Sequence, residues 1–157
     1  MGKVGLWAAG LCVVGVLGLS LGAATLGAQA PDKTGVLGDW QEPGGGVLEV
    51  YKCGSQEICV KLRMLAADTP AKVDGHNPDP ALRTQSLCDL RVGYEFKLTD
   101  PDHADGGKLY DPKSGKTYSG TMSTEGDKLR LRGYVGIKLF GRTEVWKRAG
   151  AFHGCLK

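Results

Sequence analysis

From about residue 38 to residue 148 no stretch holds its apolar residues at helical spacing. The chain is instead cut into short runs in which apolar and polar residues alternate, each closed by Gly, Pro, Asp or Ser. A period of two sends alternate side chains to opposite faces, so the pattern restricts the chain to half-buried, antiparallel strands. The clearest run is EICVKLRML, where Ile58, Val60, Leu62 and Met64 alternate with Glu57, Cys59, Lys61 and Arg63. KLRLRGYVGI repeats it, with Leu129 and Leu131 between Lys128, Arg130 and Arg132. GDWQEPGGGVLEVYKC supplies two pieces around the turn Pro43-Gly44-Gly45-Gly46, and VGYEFKL, KLY, KTYSGTMS and RTEVWKRA follow, parted by the turns DPKSGK and TEGDK. About eight or nine strands in so short a chain predict an all-β fold, a small antiparallel up-and-down barrel. Closure removes the exposed edges that so many strands otherwise leave.

One segment breaks the pattern. AADTPAKVDGHNPDPALRTQSLCDL, residues 66–90, holds three prolines and has room for one short helix from Pro80 to about Ser86. So long a connection in a small domain is expected to be a lid or a stapled surface segment. Within it Asn77, Asp79 and Arg83 supply polar groups at a loop mouth. Asx-Pro before a helical turn is also ordinary capping chemistry, with the arginine left to bond nearby carbonyls.

The first 30 residues read differently. One lysine precedes an apolar run from Val4 to about Ala28 that ends in Ala28-Gln29-Ala30, the pattern of an export signal, although Pro31 is a poor residue to follow a cut. An uncleaved anchor is the competing reading, since the run is long enough to cross a bilayer. Cys12 lies deep in that run behind Leu11, which disfavours lipidation. Cleavage leaves one domain, residues 31–157, with no membrane span and a periplasmic or extracellular location. The net charge is only +3, and the basic residues are scattered among acidic ones, so nucleic acid is not an expected partner.

Four cysteines follow the signal: Cys53, Cys59, Cys88 and Cys155. Disulfides are expected in an oxidising compartment. Cys53 and Cys59 flank GSQEI between two strands and can face each other across a hairpin, which leaves Cys88 and Cys155 as the second pair. Zinc is not expected, for no C-x-x-C occurs and His76, His103 and His153 are dispersed.

Other motifs dissolve on inspection. GKT at 115–117 lacks the glycine that a phosphate loop needs five residues earlier, where Tyr110 stands. Asp100, Asp102 and Asp105 with Gly106 resemble a calcium loop with wrong spacing and no closing glutamate, and the segment reads instead as a solvated acid-rich turn. There is no G-x-S-x-G and no Ser or Thr placed by spacing beside a histidine. Neither catalytic residues nor a cofactor are expected.

Taken together, GDW, VLEVYKCG, ICVKL, NPDPALR, YDPKSGKTY and RGYVGIKLFGRTEVWKR resemble the DUF2147 family, small exported bacterial proteins without an assigned biochemical function, over about Gly38 to Arg148. The chain departs from the family at one place, reading DHADGG where members often carry a tryptophan. The resemblance implies a lipocalin-like barrel of eight strands with a cavity open at one end. It also implies that Trp40, in an early G-x-W, packs on Arg148 from the last strand and shuts the bottom of the barrel. On that architecture the expected function is the binding of a small apolar or amphipathic ligand. Tyr94, Phe96, Tyr110, Tyr118 and Tyr134 are the candidate walls, and Arg142, Arg83 and Asp79 the candidate polar contacts. The alternative is a barrel filled by side chains, serving as a structural or protein-interaction module of the cell envelope.

Overall fold

The structure, a computed structural model, describes residues 35–155. The expected export segment lies outside the described residues. Eight strands follow in chain order: β1 (Gly38–Gln41), β2 (Val47–Lys52), β3 (Glu57–Met64), β4 (Arg91–Asp100), β5 (His103–Asp111), β6 (Lys116–Glu125), β7 (Lys128–Tyr134) and β8 (Arg142–Arg148). Each pairs antiparallel with the next and β8 returns to β1, which makes a closed up-and-down barrel. Among the described residues no helix is long and apolar enough to cross a membrane.

The alternating positions of β3 and β7 form the core. Ile58, Val60, Leu129 and Leu131 are buried and pack with Trp40, Val50, Phe96, Met122 and Trp146, while Leu62 is half-buried against them. Phe96 crosses the waist of the barrel. A Cβ on Gly107 would stand 2.2 Å from its ring, and one on Gly120 would meet Leu109 at 2.8 Å and Phe96 at 2.9 Å. Two strands therefore give up side chains so that one aromatic ring can fill the middle of the barrel.

Three local expectations change. The acid-rich HADGG is not a turn but the start of β5, which begins at His103. The helix expected over Pro80 to Ser86 is a single 3-10 turn, Pro80–Leu82, because each backbone donor finds a carbonyl only three residues back. The second disulfide is absent. Cys53 and Cys59 are bridged, with Cα atoms 5.8 Å apart, but Cys88 and Cys155 are both free thiols. Asp89 donates to the Leu62 carbonyl and Cys155 to the Arg63 carbonyl. Successive carbonyls of a strand point to opposite edges, so the two cysteines are held on either side of β3 instead of facing each other.

The bottom of the barrel is shut as the G-x-W pattern implies. The Arg148 guanidinium lies 3.8 Å above the Trp40 ring and donates to the carbonyls of Leu37 and Gly35. Trp40 is fully buried, and its Nε1 donates to the Val36 carbonyl at 2.8 Å.

Replacing Arg148 by Ala removes a desolvated cation–π contact and two charge-assisted hydrogen bonds, and is expected to cost about 2–4 kcal/mol in urea unfolding. Arg148→Lys should recover only part of that, because an ammonium cannot stack and fork at once. Gly107→Ala should destabilise the fold by about 1–3 kcal/mol through overpacking on Phe96. In the Phe96→Leu background the same change should cost clearly less, and equal costs in the two backgrounds would contradict the packing described.

Candidate functional site

Two stacked irregularities shape the barrel wall. Ile58 pairs with Phe96 and Val60 with Gly93, so two steps on β3 oppose three on β4, and the extra residue is Glu95. Its φ is 63°, a costly conformation for a residue with a side chain, and its N–H is held by Glu57 Oε1 at 3.1 Å. On the next strand Ala104 and Gly107 oppose Met122 and Gly120, which places a second bulge at Asp105 and Gly106, with Gly106 at φ +71°.

The first bulge inverts the phase of β4. Tyr94 and Phe96 would share a face in a regular strand; here Phe96 turns into the core and Tyr94 turns out. Tyr94 is then the first of a cross-strand row, Tyr94 to Lys108 to Ser119 to Tyr134, each the register partner of the next on β4, β5, β6 and β7. Gly120 faces Phe96 inside, so its neighbour Ser119 faces outward. The row forms the floor and ends of a trough of about 390 Å³ on the outer wall, with Glu95, Thr117, Tyr118, Val135 and Gly136 at its sides. Three strand spacings of roughly 4.8 Å set the two end tyrosines about 14 Å apart. Lys108 Nζ lies 3.4 Å from Ser119 Oγ and is the only cation of the lining. An aromatic at each end, hydroxyls between and one cation suit an amphipathic molecule whose accepting group sits at Lys108, clear of the Glu95 carboxylate at the side.

The segment joining β7 to β8 crosses the same wall. Arg132 holds it by donating from Nε to the Lys138 carbonyl at 3.0 Å and from a terminal nitrogen to the Leu139 carbonyl at 3.2 Å. Lys138 reaches over to Asp105 in the second bulge, 2.6 and 2.9 Å from its two oxygens. That hydrogen bond holds the Asp105 carboxyl below the usual carboxylate range against the opposing effect of burial. Beyond Lys138 lies a second cleft of about 480 Å³, lined by Asp100, His103, Asp105 and Ser123 among others. His103 Nδ1 sits 2.9 Å from Asp100 Oδ1, and Ser123 is the register partner of His103. The residue types are those of an acyl-transfer triad, yet among the described residues no hydrogen bond joins His103 to Ser123 and the Asp–His pair stands in solvent. The three aspartates that suggested calcium are spent separately, Asp100 on His103, Asp102 on Thr124 and Asp105 on Lys138.

The 65–90 loop packs on the β5–β6 hairpin, where a Cβ on Gly115 would strike the His76 carbonyl at 2.0 Å. Its anchor is Asp74, which is fully buried although no motif marks it. Asp74 accepts from the Tyr110 hydroxyl at 2.7 Å, from Asn77 at 2.7 Å and from Gln85 at 3.0 Å. Asp79 caps the 3-10 turn through the Ala81 N–H, and Arg83 donates to the Asn77 carbonyl at 2.8 Å. Of the candidate contacts, Tyr94 and Tyr134 therefore meet across the trough, and Tyr118, on the inner-face parity of Gly120, only borders it. Phe96 is core, Tyr110, Asp79 and Arg83 shape the loop, and Arg142 lies exposed where β8 begins. Lys108 and Ser119 were missed, since only the register of four strands brings them between the tyrosines.

The family described as "Uncharacterized protein conserved in bacteria (DUF2147)" matches residues 38–148. The chain belongs to it. That span begins at β1 and ends with β8, so the DUF2147 unit is the barrel itself. A solved structure, "Protein HP1028 from the human pathogen Helicobacter pylori belongs to the lipocalin family", is similar to this one with a TM-score of 0.67 and 22% sequence identity, covering 74% of this chain and 84% of that one. The likeness establishes a lipocalin-like barrel for this DUF2147 member. No curated protein matches the sequence significantly.

Burial raises the Asp74 carboxyl, but its hydrogen bonds from Tyr110, Asn77 and Gln85 outweigh burial and hold it below the usual range. A depressed folded pKa makes the anchor fully effective above the unfolded value of about 3.9 and lost as pH falls through the lower folded value. Asp74→Asn should thus lower the melting temperature at pH 7, with a cost of about 1–3 kcal/mol. The gap between variant and wild type should narrow steadily from pH 4 toward pH 2, and a pH-independent gap would contradict the assignment.

Proposed function

We propose that this protein is exported and binds a small amphipathic molecule, without catalysis, in the trough between Tyr94 and Tyr134. The observation that carries the proposal is the register row itself: four outward side chains from four strands converge on one cleft, two of them aromatic and one cationic. The strained Glu95 at its margin supports it, since a non-glycine residue at φ 63° is retained where the surroundings enforce it. The Cys53–Cys59 bridge and the bacterial family support a location outside the reducing cytosol. Placing the ligand on the wall departs from the lipocalin expectation of an inner cavity, and the reason is Phe96. A filled waist also favours the alternative, a protein-interaction module of the envelope that uses the same wall.

Titration with the amphipathic anion 8-anilinonaphthalene-1-sulfonate, followed by fluorescence, tests the proposal. Lys108→Ala should raise the dissociation constant about tenfold, the loss of one charge-assisted contact. Tyr94→Ala with Tyr134→Ala should raise it at least tenfold. Binding unchanged in both variants would move the site off the trough. Failure of the wild type to bind this probe, together with native mass spectra free of adducts, would favour the interaction module.

A further inference from the structure

The segment that crosses the wall presents its apolar side chains to solvent. Val135 is 72% exposed, Ile137 58%, Leu139 76% and Phe140 79%. Large apolar residues exposed together in one short segment mark an interaction surface. The exposure is enforced by polar anchors: Arg132 draws the Lys138 and Leu139 carbonyls toward the barrel, and Lys138 is tied to Asp105. With backbone and lysine turned inward, Leu139 and Phe140 are left facing out.

The strands beneath supply the charge. On the outer face of the β7–β8 hairpin the register pairs are Lys128 with Lys147, Arg130 with Val145 and Arg132 with Thr143, a face without a carboxylate. Glu144 belongs to the opposite register, across from Leu131, and accepts from Trp146 Nε1 at 3.1 Å. Residues 128–148 hold seven cations and one carboxylate, or +6, in a chain whose net charge is +3, so the rest of the sequence carries −3. Lys128, Arg130 and Lys147 are exposed and form no ion pair with any described residue. Glu125, opposite Lys128 on β6, marks the edge of the cationic field.

We propose that this wall docks on an anionic lipid bilayer, with Val135, Ile137, Leu139 and Phe140 entering the headgroup region and Lys128, Arg130 and Lys147 meeting lipid phosphates. Charge complementarity selects this occupant. A second copy would set one cationic face against another, and a nucleic acid has no use for four exposed aliphatic and aromatic side chains among its phosphates. The docking surface shares Val135 with the ligand trough and otherwise lies beyond it.

Amide exchange of the full chain, read by mass spectrometry on a peptide covering residues 135–141, tests the proposal locally, whatever the N-terminal segment does. Vesicles of phosphatidylcholine with about a third phosphatidylglycerol should protect that peptide, with the effect lost at high salt and on pure phosphatidylcholine. In co-sedimentation, Leu139→Ser with Phe140→Ser should weaken partition at least tenfold. Lys128→Gln with Arg130→Gln and Lys147→Gln should weaken it about a hundredfold, at roughly fivefold per charge removed. Unchanged exchange of the wild type on anionic vesicles would overturn the proposal even if a variant failed to fold. Equal protection on neutral vesicles would overturn the electrostatic part. Protection that rises with protein concentration in the absence of lipid would replace the bilayer by a second copy, and protection by a DNA duplex but not by vesicles would replace it by nucleic acid.

Discussion

An eight-stranded barrel must join its last strand to its first, and here that seam is short. Only Trp40 with Arg148 and Gln41 with Lys147 pair between β1 and β8. Two residue pairs are a weak closure for a sheet whose other neighbours share four to seven, so the seam depends on the Arg148 side chain. Its guanidinium covers the indole and binds the backbone of residues 35 and 37, fixing the segment that crosses the bottom. The same segment is held from the other side, where the Val36 N–H donates to the Pro101 carbonyl at 2.8 Å. Beyond the clamp Arg142 to Trp146 pair with β7 alone, and the crossing from β7 enters β8 at that end.

Inside the barrel, the two adjacent bulges decide what is core and what is surface. Glu95 lets β4 send Gly93 and Phe96 inward while Tyr94 goes out, and the Asp105–Gly106 bulge lets β5 keep both Ala104 and Gly107 inside. One ring over two glycines fills the waist. Tyr94, which a regular β4 would set on the face of Phe96, is turned onto the wall, where it meets Lys108.

What the sequence made legible follows from this geometry. Where the ladder runs unbroken, as over Ile58 to Leu62 and through β7, alternation located the core, although Cys59 of the expected wet face is buried as well and Met64, beyond the shift in the β2–β3 register, is not core. G-x-W with a distant arginine located the seam. The Cys53–Cys59 bridge followed from a short turn between two strands. The bulges were hidden because one inserted residue reverses the inside–outside phase, and Glu95 carries no glycine to advertise it. Gly106-Gly107 did carry a signal, one glycine for a positive φ and one for ring packing, but the surrounding acids disguised a strand as a turn. The Cys88–Cys155 pairing failed on carbonyl parity, which spacing cannot express. The cationic wall was invisible for a related reason. Alternation spreads Lys128, Arg130 and Arg132 among leucines, and only the hairpin register sets Lys147 beside them.

The outer wall then behaves as one surface with a shared hinge. Tyr134, Val135 and Gly136 end the trough and also begin the apolar crossing, and Gly136, at φ +72°, gives the backbone its turn between the two. Arg132 and the Lys138–Asp105 pair fix how far the crossing lies over the wall, so they set both the exposure of Phe140 and the width of the trough. The Lys138–Asp105 pair is solvent-exposed and screened by salt, whereas the Arg132 bonds to backbone carbonyls are not balanced by a competing charge. Arg132 is therefore the stronger constraint. Salt accordingly weakens the Lys138 tie more than the Arg132 one, and Gly136 is the point of backbone freedom between the trough and the crossing.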